Sequence, residues 1–273
     1  MSELAGKRAL VTGASSGIGA AIARELAARG ANLVLTARRK DQLDAVAAEC
    51  ATLGATVSVI TADLGRPGSA RVLWEAASAG GPIELCINNA GFGIFRPFSE
   101  VEAEREAELV QLNMVSLVEL SRRFIAARKG EPGRAYLMNI ASIGAYQSVP
   151  FMALYTASKA FVRNFTEAVH VELRGTAVSA TCICPGGTET EFHAQAGAGN
   201  YGWIANASMM TAAACAQKSV RAMLRGKRTY IPGLINKLSC FGVRLVPRRF
   251  ASWMAQRVLG KPRPGELPQR SAA

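Results

Sequence analysis

The sequence predicts an α/β fold: a doubly wound, seven-stranded parallel sheet with helices on both faces, plus a C-terminal helical extension. Two observations lead there. Short runs that are apolar throughout alternate with longer helix-forming stretches, the pattern of strands covered on both faces. The first apolar run also feeds straight into a glycine-rich turn that opens a helix. With 273 residues, 49% of them hydrophobic, and a mean hydropathy of +0.14, the chain has ample material for one large core.

Taken in order, Arg8-Ala9-Leu10-Val11 is the first strand, Thr12–Gly19 (TGASSGIG) the turn, and Ala20–Arg29 a helix stopped by Gly30. Asn32–Thr36 is a second strand and Asp41–Leu53 an amphipathic helix. Thr56–Thr61 follows as the third strand, with a helix over Ser69–Ala79. Leu85–Asn88, Ala135–Ile140 and Val178–Cys184 are the next strands, separated by long helices over Val101–Arg128 and Ala153–Arg174. Pro185 to about Ser208, rich in Gly, Ala and small polar residues, reads as a long loop. A helix over Thr211–Arg225 and a seventh strand over Thr229–Pro232 close the alternation. No linker divides the chain, so residues 1–260 are one expected domain, with a basic amphipathic extension from about residue 233 broken at Pro247. Residues 261–273, with three prolines, read as a frayed tail.

The net charge of +12 is local. Residues 1–220 hold 20 Lys/Arg against 19 Asp/Glu, whereas residues 221–273 hold 12 against Glu266 alone. Six scattered cysteines lack metal-ligand spacing and read as reduced, small hydrophobes, so no metal is expected. No apolar run approaches the roughly 20 residues of a membrane span. The start lacks the apolar core of a secretory signal, and a cytoplasmic location is expected. Nucleic-acid binding is not expected, because no basic groove with aromatic platforms is announced.

Chemistry enters at Leu154-Tyr155-Thr156-Ala157-Ser158-Lys159-Ala160. On a helix, Tyr155 and Lys159 stand one turn apart on the same side. An ammonium beside a phenol favours phenolate and brings it toward a useful acid–base range. A tyrosine and a lysine on a solvated face remain the plain alternative. The Thr12–Gly19 turn sits where a dinucleotide diphosphate would rest on a helix N-terminus, with Gly13, Gly17 and Gly19 allowing close backbone approach. A merely structural turn is its rival. At the end of the second strand stands Thr36-Ala37-Arg38-Arg39-Lys40, with no acid to hold an adenosine ribose. A guanidinium suits a 2′-phosphate, so NADP (NADPH) is expected with Arg38 as the main contact. A solvated basic turn compatible with either cofactor is the alternative, and Ser16 adds no positive charge.

These features together resemble a classical short-chain dehydrogenase/reductase from about Lys7 to Thr190. The residues carrying the likeness are T12-G-A-S-S-G-I-G19, Asp63-Leu64, N88-N-A-G91, Asn113, Ser142, Y155-T-A-S-K159 and P185-G186 with Thr190. The resemblance implies a Rossmann-type domain and an oxidoreductase in which Tyr155 is the general acid or base. Lys159 lowers the pKa of Tyr155 and binds the nicotinamide ribose, Ser142 stabilises the developing alkoxide, and Asn113 holds a water that resupplies protons. It further implies cofactor contacts from Gly13, Ser15, Ser16, Gly17, Ile18 and Gly19, then Asp63, Leu64, Asn89, Ala90 and Gly91. Pro185, Gly186, Thr188 and Thr190 would close over the nicotinamide, with Thr188 where the family more often has Val or Ile. The family's pocket positions correspond here to Phe92, Phe95, Ile143, Gly144, Tyr146, Phe151, Met152, Phe192, Tyr201 and Trp203. His193 lies in the same lid, where it could touch substrate or solvent, and His170 reads as an ordinary helix residue.

That apolar set implies a lipophilic ketone or aldehyde and its alcohol. A 3-oxoacyl-thioester (carrier protein or CoA) reductase, and a cofactor-loaded membrane-surface or scaffold protein without turnover, are the alternatives. The resemblance implies that the long helices around 101–128 and 153–174 form a subunit interface, so a homo-oligomer, a dimer or tetramer, is expected. The basic tail, with Leu234, Leu238, Phe241, Phe250 and Trp253 among its arginines, suits an anionic membrane surface or an acidic carrier. Equally, its apolar face could pack on the core or on a neighbouring subunit.

Overall fold

A computed structural model describes residues 4–189, 209–260 and 262. Strands β1 (Arg8–Thr12), β2 (Asn32–Ala37), β3 (Val57–Thr61), β4 (Leu85–Asn88), β5 (Ala135–Ile140) and β6 (Val178–Ile183) are each short, and all but the edge strand β3 are mostly buried. Two-residue strands β7 (Thr188–Glu189) and β8 (Met210–Thr211) pair with each other, and β9 (Thr229–Tyr230) completes the main sheet. That sheet is wholly parallel in the order β3-β2-β1-β4-β5-β6-β9. The order reverses between β1 and β4, which opens a crevice at the carboxyl ends of the strands. The expected seven-stranded architecture is present.

Helices α1 (Gly17–Ala28), α2 (Lys40–Thr52), α3 (Ser69–Ala79), α4 (Ala103–Val110), α5 (Leu117–Arg128), α6 (Ala153–Glu172) and α7 (Ala212–Leu224) flank the sheet. Successive strand residues point to opposite faces, which builds two cores from one sheet. Ala9 and Val11 join Ile22, Leu26, Val220 and Met223 on one face, and Leu10 joins Leu73, Trp74, Leu120 and Phe124 on the other. Trp74 and Phe124 meet edge to face with centroids 6.4 Å apart.

The long helix expected over 101–128 is not uniform. It starts at Ala103, and a π-helical stretch, Gln111–Ser116, joins α4 to α5. Two side chains of that stretch are engaged outside the helix: Ser116 Oγ donates to Leu64 O at 2.7 Å, and Asn113 reaches the strand β4 exit. A wide turn that re-aims buried polar groups is a common device near functional sites. It leaves no mark on a 3.6-residue pattern.

The sheet also buries polar groups. Asn88 Nδ2 donates to Asn139 Oδ1 (2.9 Å) and to Ser121 Oγ (3.1 Å), and Asn139 Nδ2 donates to Thr166 Oγ1 (2.9 Å). This chain ties β4 to β5 and to α5 and α6 with each amide satisfied. Removing its middle strands two partners in the interior. Asn139→Ala should therefore cost about 2–4 kcal/mol of unfolding free energy in urea; a loss too small to measure would show that the network carries no stability.

Candidate active site

The glycine turn is fastened before it can bind anything. Thr12 Oγ1 donates to Ile87 O (3.2 Å) and accepts from the backbone N–H groups of Asn89 and Ala90, both at 3.0 Å. Asn89 Nδ2 returns the contact to Thr12 O (3.0 Å) and Gly13 O (3.1 Å). A Cβ on Gly19 would lie 2.1 Å from Gly13 O, so no side chain fits there. Gly13, at φ +65°, crosses tightly under Ala90. The first turn of α1 carries no acidic residue, and Ser16 makes no side-chain cap, so its N–H groups and positive dipole face the crevice.

Beside this turn stand two guanidinium groups. Arg38 Nη1 is 3.3 Å from Glu108 Oε1, and Arg105 also pairs with Glu108, which is buried on α4. Arg39 Nη2 donates to Ser16 Oγ at 3.0 Å. Ser16 adds no charge itself, yet it anchors one that arrives from β2. The adjacency of two arginines was visible in the sequence, but the direction of Arg39 depends on the start of α2 at Lys40. Asp63 Oδ1 accepts from Gly65 N (3.0 Å) and so shapes the turn after β3.

At the other end, α6 presents Tyr155 half-buried and Lys159 buried, one turn apart. Lys159 Nζ donates to Ile140 O at 2.9 Å and lies 5.8 Å from the Tyr155 ring centroid. Burial pushes the Lys159 ammonium down to about 8 from its ordinary 10.5, with the nearby Cys182 and Cys184 opposing. Ser142, at the exit of β5, accepts from Gly144 N at 3.1 Å, which leaves its own hydroxyl hydrogen free to donate.

Asn113 is buried and fully built into the site. Its Oδ1 accepts from Phe92 N (3.1 Å) while Nδ2 donates to Phe92 O (3.0 Å) and Ser158 Oγ (3.1 Å). Both ends of the amide are engaged, and the side chain clasps the backbone after Gly91. The π-helical turn is what aims it there.

One cavity of about 620 Å³ joins the two ends. Gly13, Ser15, Ser16, Gly17, Ile18, Arg38, Arg39, Asp63, Leu64, Asn89, Ala90 and Gly91 line it, as do Phe92, Ser142, Ile143, Gly144, Tyr155, Lys159, Pro185, Gly186 and Thr188. Gly19 and Asn113 act from behind this lining. Phe151 and Tyr146 are not among it. Phe151 stacks edge to face on Phe95 with centroids 6.0 Å apart and its backbone at φ +66°, and Tyr146 lies under Arg163. Thr190, Phe192, His193, Tyr201 and Trp203 lie outside the described residues.

The wall opposite is a surprise. The C-terminal extension forms α8 (Leu234–Gly242), a short 3-10 turn (Val243–Leu245) and α9 (Arg248–Leu259), broken at Pro247 as expected. Ile235, Asn236, Ser239 and Val243, then Met254, Ala255, Val258 and Leu259, line the same cavity. Asn236 is buried against Gly186, where a Cβ would come within 2.3 Å of its amide, so α8 is keyed onto the segment after β6. The amphipathic pattern signalled a packed face, but nothing in it says against what.

The sequence signature of the short chain dehydrogenase family matches residues 7–200. The chain belongs to the short-chain dehydrogenase family. An uncharacterized oxidoreductase of Myxococcus xanthus is 34% identical over 196 residues, covering 71% of this chain and 77% of that one. Among solved structures, one from a study of 7β-hydroxysteroid dehydrogenase stereoselectivity superposes with a TM-score of 0.81 at 27% identity, covering 93% and 98% of the two chains. A short-chain dehydrogenase of Sphingobium yanoikuyae, in complex with NADPH, gives 0.75 at 28% identity over 97% and 99%. One from Burkholderia phymatum in complex with NAD gives 0.78 at 26% over 96% and 99%.

The residues of this short-chain dehydrogenase fit a nicotinamide dinucleotide. The glycine cradle leaves no room for a Cβ, the α1 N-terminus is uncapped by its own side chains, and the guanidinium pair faces the same cavity.

The Lys159 shift has a consequence for stability. Below pH about 8 both folded and unfolded chains hold the proton, and the full cost of burying an ammonium is present. Between about 8 and the ordinary 10.5 the folded chain sheds its proton first, so that cost is relieved as pH rises. Urea unfolding across this window should show the wild type gaining stability relative to Lys159→Met; parallel curves would mean that the ammonium is not desolvated.

Proposed function

We propose that this short-chain dehydrogenase uses NADPH to interconvert a lipophilic ketone or aldehyde and its alcohol. A single observation carries the proposal: one continuous cavity has paired guanidinium groups at one end, Tyr155, Ser142 and Lys159 at the other, and an apolar wall facing them. A similar structure holds NADPH and another concerns a hydroxysteroid dehydrogenase, which supports both halves. Because a third similar structure holds NAD, the preference for NADPH rests on Arg38 and Arg39.

The coenzyme supplies the hydride chemistry. The turn Gly13–Gly19 and the α1 N-terminus would hold its diphosphate, Arg38 and Arg39 its 2′-phosphate, and Asp63 and Leu64 its adenine end. Asn89, Ala90 and Gly91 would flank it, and Pro185, Gly186 and Thr188 would cover the nicotinamide. Tyr155 gives its phenolic proton to the carbonyl oxygen during reduction and takes one back during oxidation. Ser142, already accepting from Gly144, donates to the same oxygen and stabilises its developing charge. Lys159 keeps a positive charge beside the phenol and so eases proton loss from Tyr155. Asn113 is a positioning residue, fixing Phe92 and with it one rim of the pocket. Phe92, Ile143, Val149, Met152 and the inward residues of α8 and α9 exclude water and favour an apolar substrate.

Exposed Val115, Phe161 and Val171, near or on the two long helices, favour a homo-oligomer assembled through them.

With a panel of ketones and aldehydes and loss of reduced-nicotinamide absorbance as the readout, the wild type should turn over with NADPH. Tyr155→Phe should lower kcat by about 10²–10⁴-fold while leaving coenzyme affinity near wild type. Tight NADPH binding without turnover of any carbonyl would instead make the protein a cofactor-loaded scaffold. Replacing Arg38→Asp should shift the NADPH-to-NADH preference in kcat/KM by roughly 10–100-fold toward NADH. A ratio that does not move would remove the 2′-phosphate assignment.

A further inference from the structure

The extension α8–α9 packs with small side chains and shows its large ones. Only Asn236 and Cys240 of α8, and Ala251 and Ala255 of α9, are buried, each pair one turn apart. On the opposite side of α8, continuing into the turn that follows, Leu234, Leu238, Phe241 and Leu245 recur at spacings of four, three and four. They are 72%, 61%, 58% and 72% exposed, far more than a core-facing stripe would be. Lys237 and Arg244 flank this stripe at a spacing of seven, on its side away from the cavity-lining residues.

The outward side of α9 is aromatic and basic. Phe250 and Trp253 are about half exposed with ring centroids 5.7 Å apart, and the Arg257 guanidinium lies 5.1 Å from the Trp253 centroid. Arg248 and Arg249 open the same helix, whose first turn holds no acid. The composition of the whole stretch is one-sided, with Glu266 the single acid in residues 221–273. Among the described residues no helix is long and apolar enough to cross a bilayer.

We propose that α8 and α9 dock this protein on an anionic lipid surface, with Leu234, Leu238, Phe241 and Trp253 entering the interface and the arginines meeting headgroup charge. Charge selects this occupant: a second copy would bring a second set of uncompensated arginines to the same face. The apolar stripe selects it over an acidic protein, because four large, exposed side chains along one line match an interfacial helix better than a rim of ion pairs. Aromatic rings beside arginines are suited to the headgroup level. The inward residues of the same two helices line the cavity, so docking would bring its apolar wall close to the lipid.

Purified full-length protein sedimented with phosphatidylcholine vesicles, with and without phosphatidylserine, tests this. Binding should require phosphatidylserine and weaken with added salt. The double variant Leu238→Glu with Phe241→Glu should weaken it by at least about tenfold, and Arg248→Gln with Arg249→Gln by about tenfold. None of these four residues lines the cavity, so NADPH binding and melting temperature should stay at wild-type values and serve as folding controls. No binding to phosphatidylserine vesicles, or binding that both variants leave intact, overturns the proposal. So does a dimer that the Leu238→Glu and Phe241→Glu variant splits without any vesicle binding, or capture of an acyl carrier protein by a chain that ignores vesicles. Sedimentation is read without turnover, so its failure is distinguishable from failure of the reductase proposal.

Discussion

The ε-ammonium of Lys159 is held almost out of water by a single carbonyl, Ile140 O at 2.9 Å, and much of the catalytic end follows from keeping it there. One acceptor is thin compensation for a buried charge, which is why the group titrates low. On the side away from the cavity its neighbours are close. A Cβ on Gly91 would lie 3.3 Å from Nζ and 3.0 Å from Asn113 Oδ1, so the strand β4 exit approaches as backbone alone. Asn113 seals the same corner by clasping Phe92, and that clasp needs the π-helical turn between α4 and α5. At about 8 the group still holds its proton at neutral pH, so the phenol has a cation beside it that water screens little.

At the other end of the cavity, the residues nearest the glycine turn act first on one another. Thr12 and Asn89 bind β1 to the β4 exit before any ligand is considered. Arg38 is shared with Glu108, itself paired with Arg105, and Arg39 is held by Ser16. Such fastening fixes donors in place ahead of binding, which lowers the ordering cost of taking up a charged group. It also means that a 2′-phosphate would compete with Glu108 for Arg38, so Arg39 is an independent second cation rather than a spare.

The parallel sheet, the approximate strand limits and most helices could be read from the chain because parallel strands are apolar throughout and helices between them repeat every three to four residues. The Tyr155–Lys159 pair and the glycine turn were equally legible, since both are local. What could not be read is whatever depends on a neighbour distant in sequence. The π-helical turn is set by Asn113 meeting Phe92 and Ser116 meeting Leu64. Phe151 stands close to the tyrosine in sequence, yet its positive φ turns it onto Phe95 and away from the cavity lining. Amphipathicity announced α8 and α9 but not which side would be covered. The usual inference, that large apolar side chains pack inward, is inverted here: Asn236, Cys240 and two alanines do the packing.

That inversion separates two halves of the cavity in kind. Everything that fits the dinucleotide lies on the sheet and its switch point, within the residues 7–200 that match the family. Much of the cavity's apolar lining comes instead from Ile235, Val243, Met254 and Val258, beyond that match. The family-matched stretch and the C-terminal extension thus contribute different parts of the lining, joined where Asn236 meets Gly186. A change in α8 would reach the backbone after β6 through that contact.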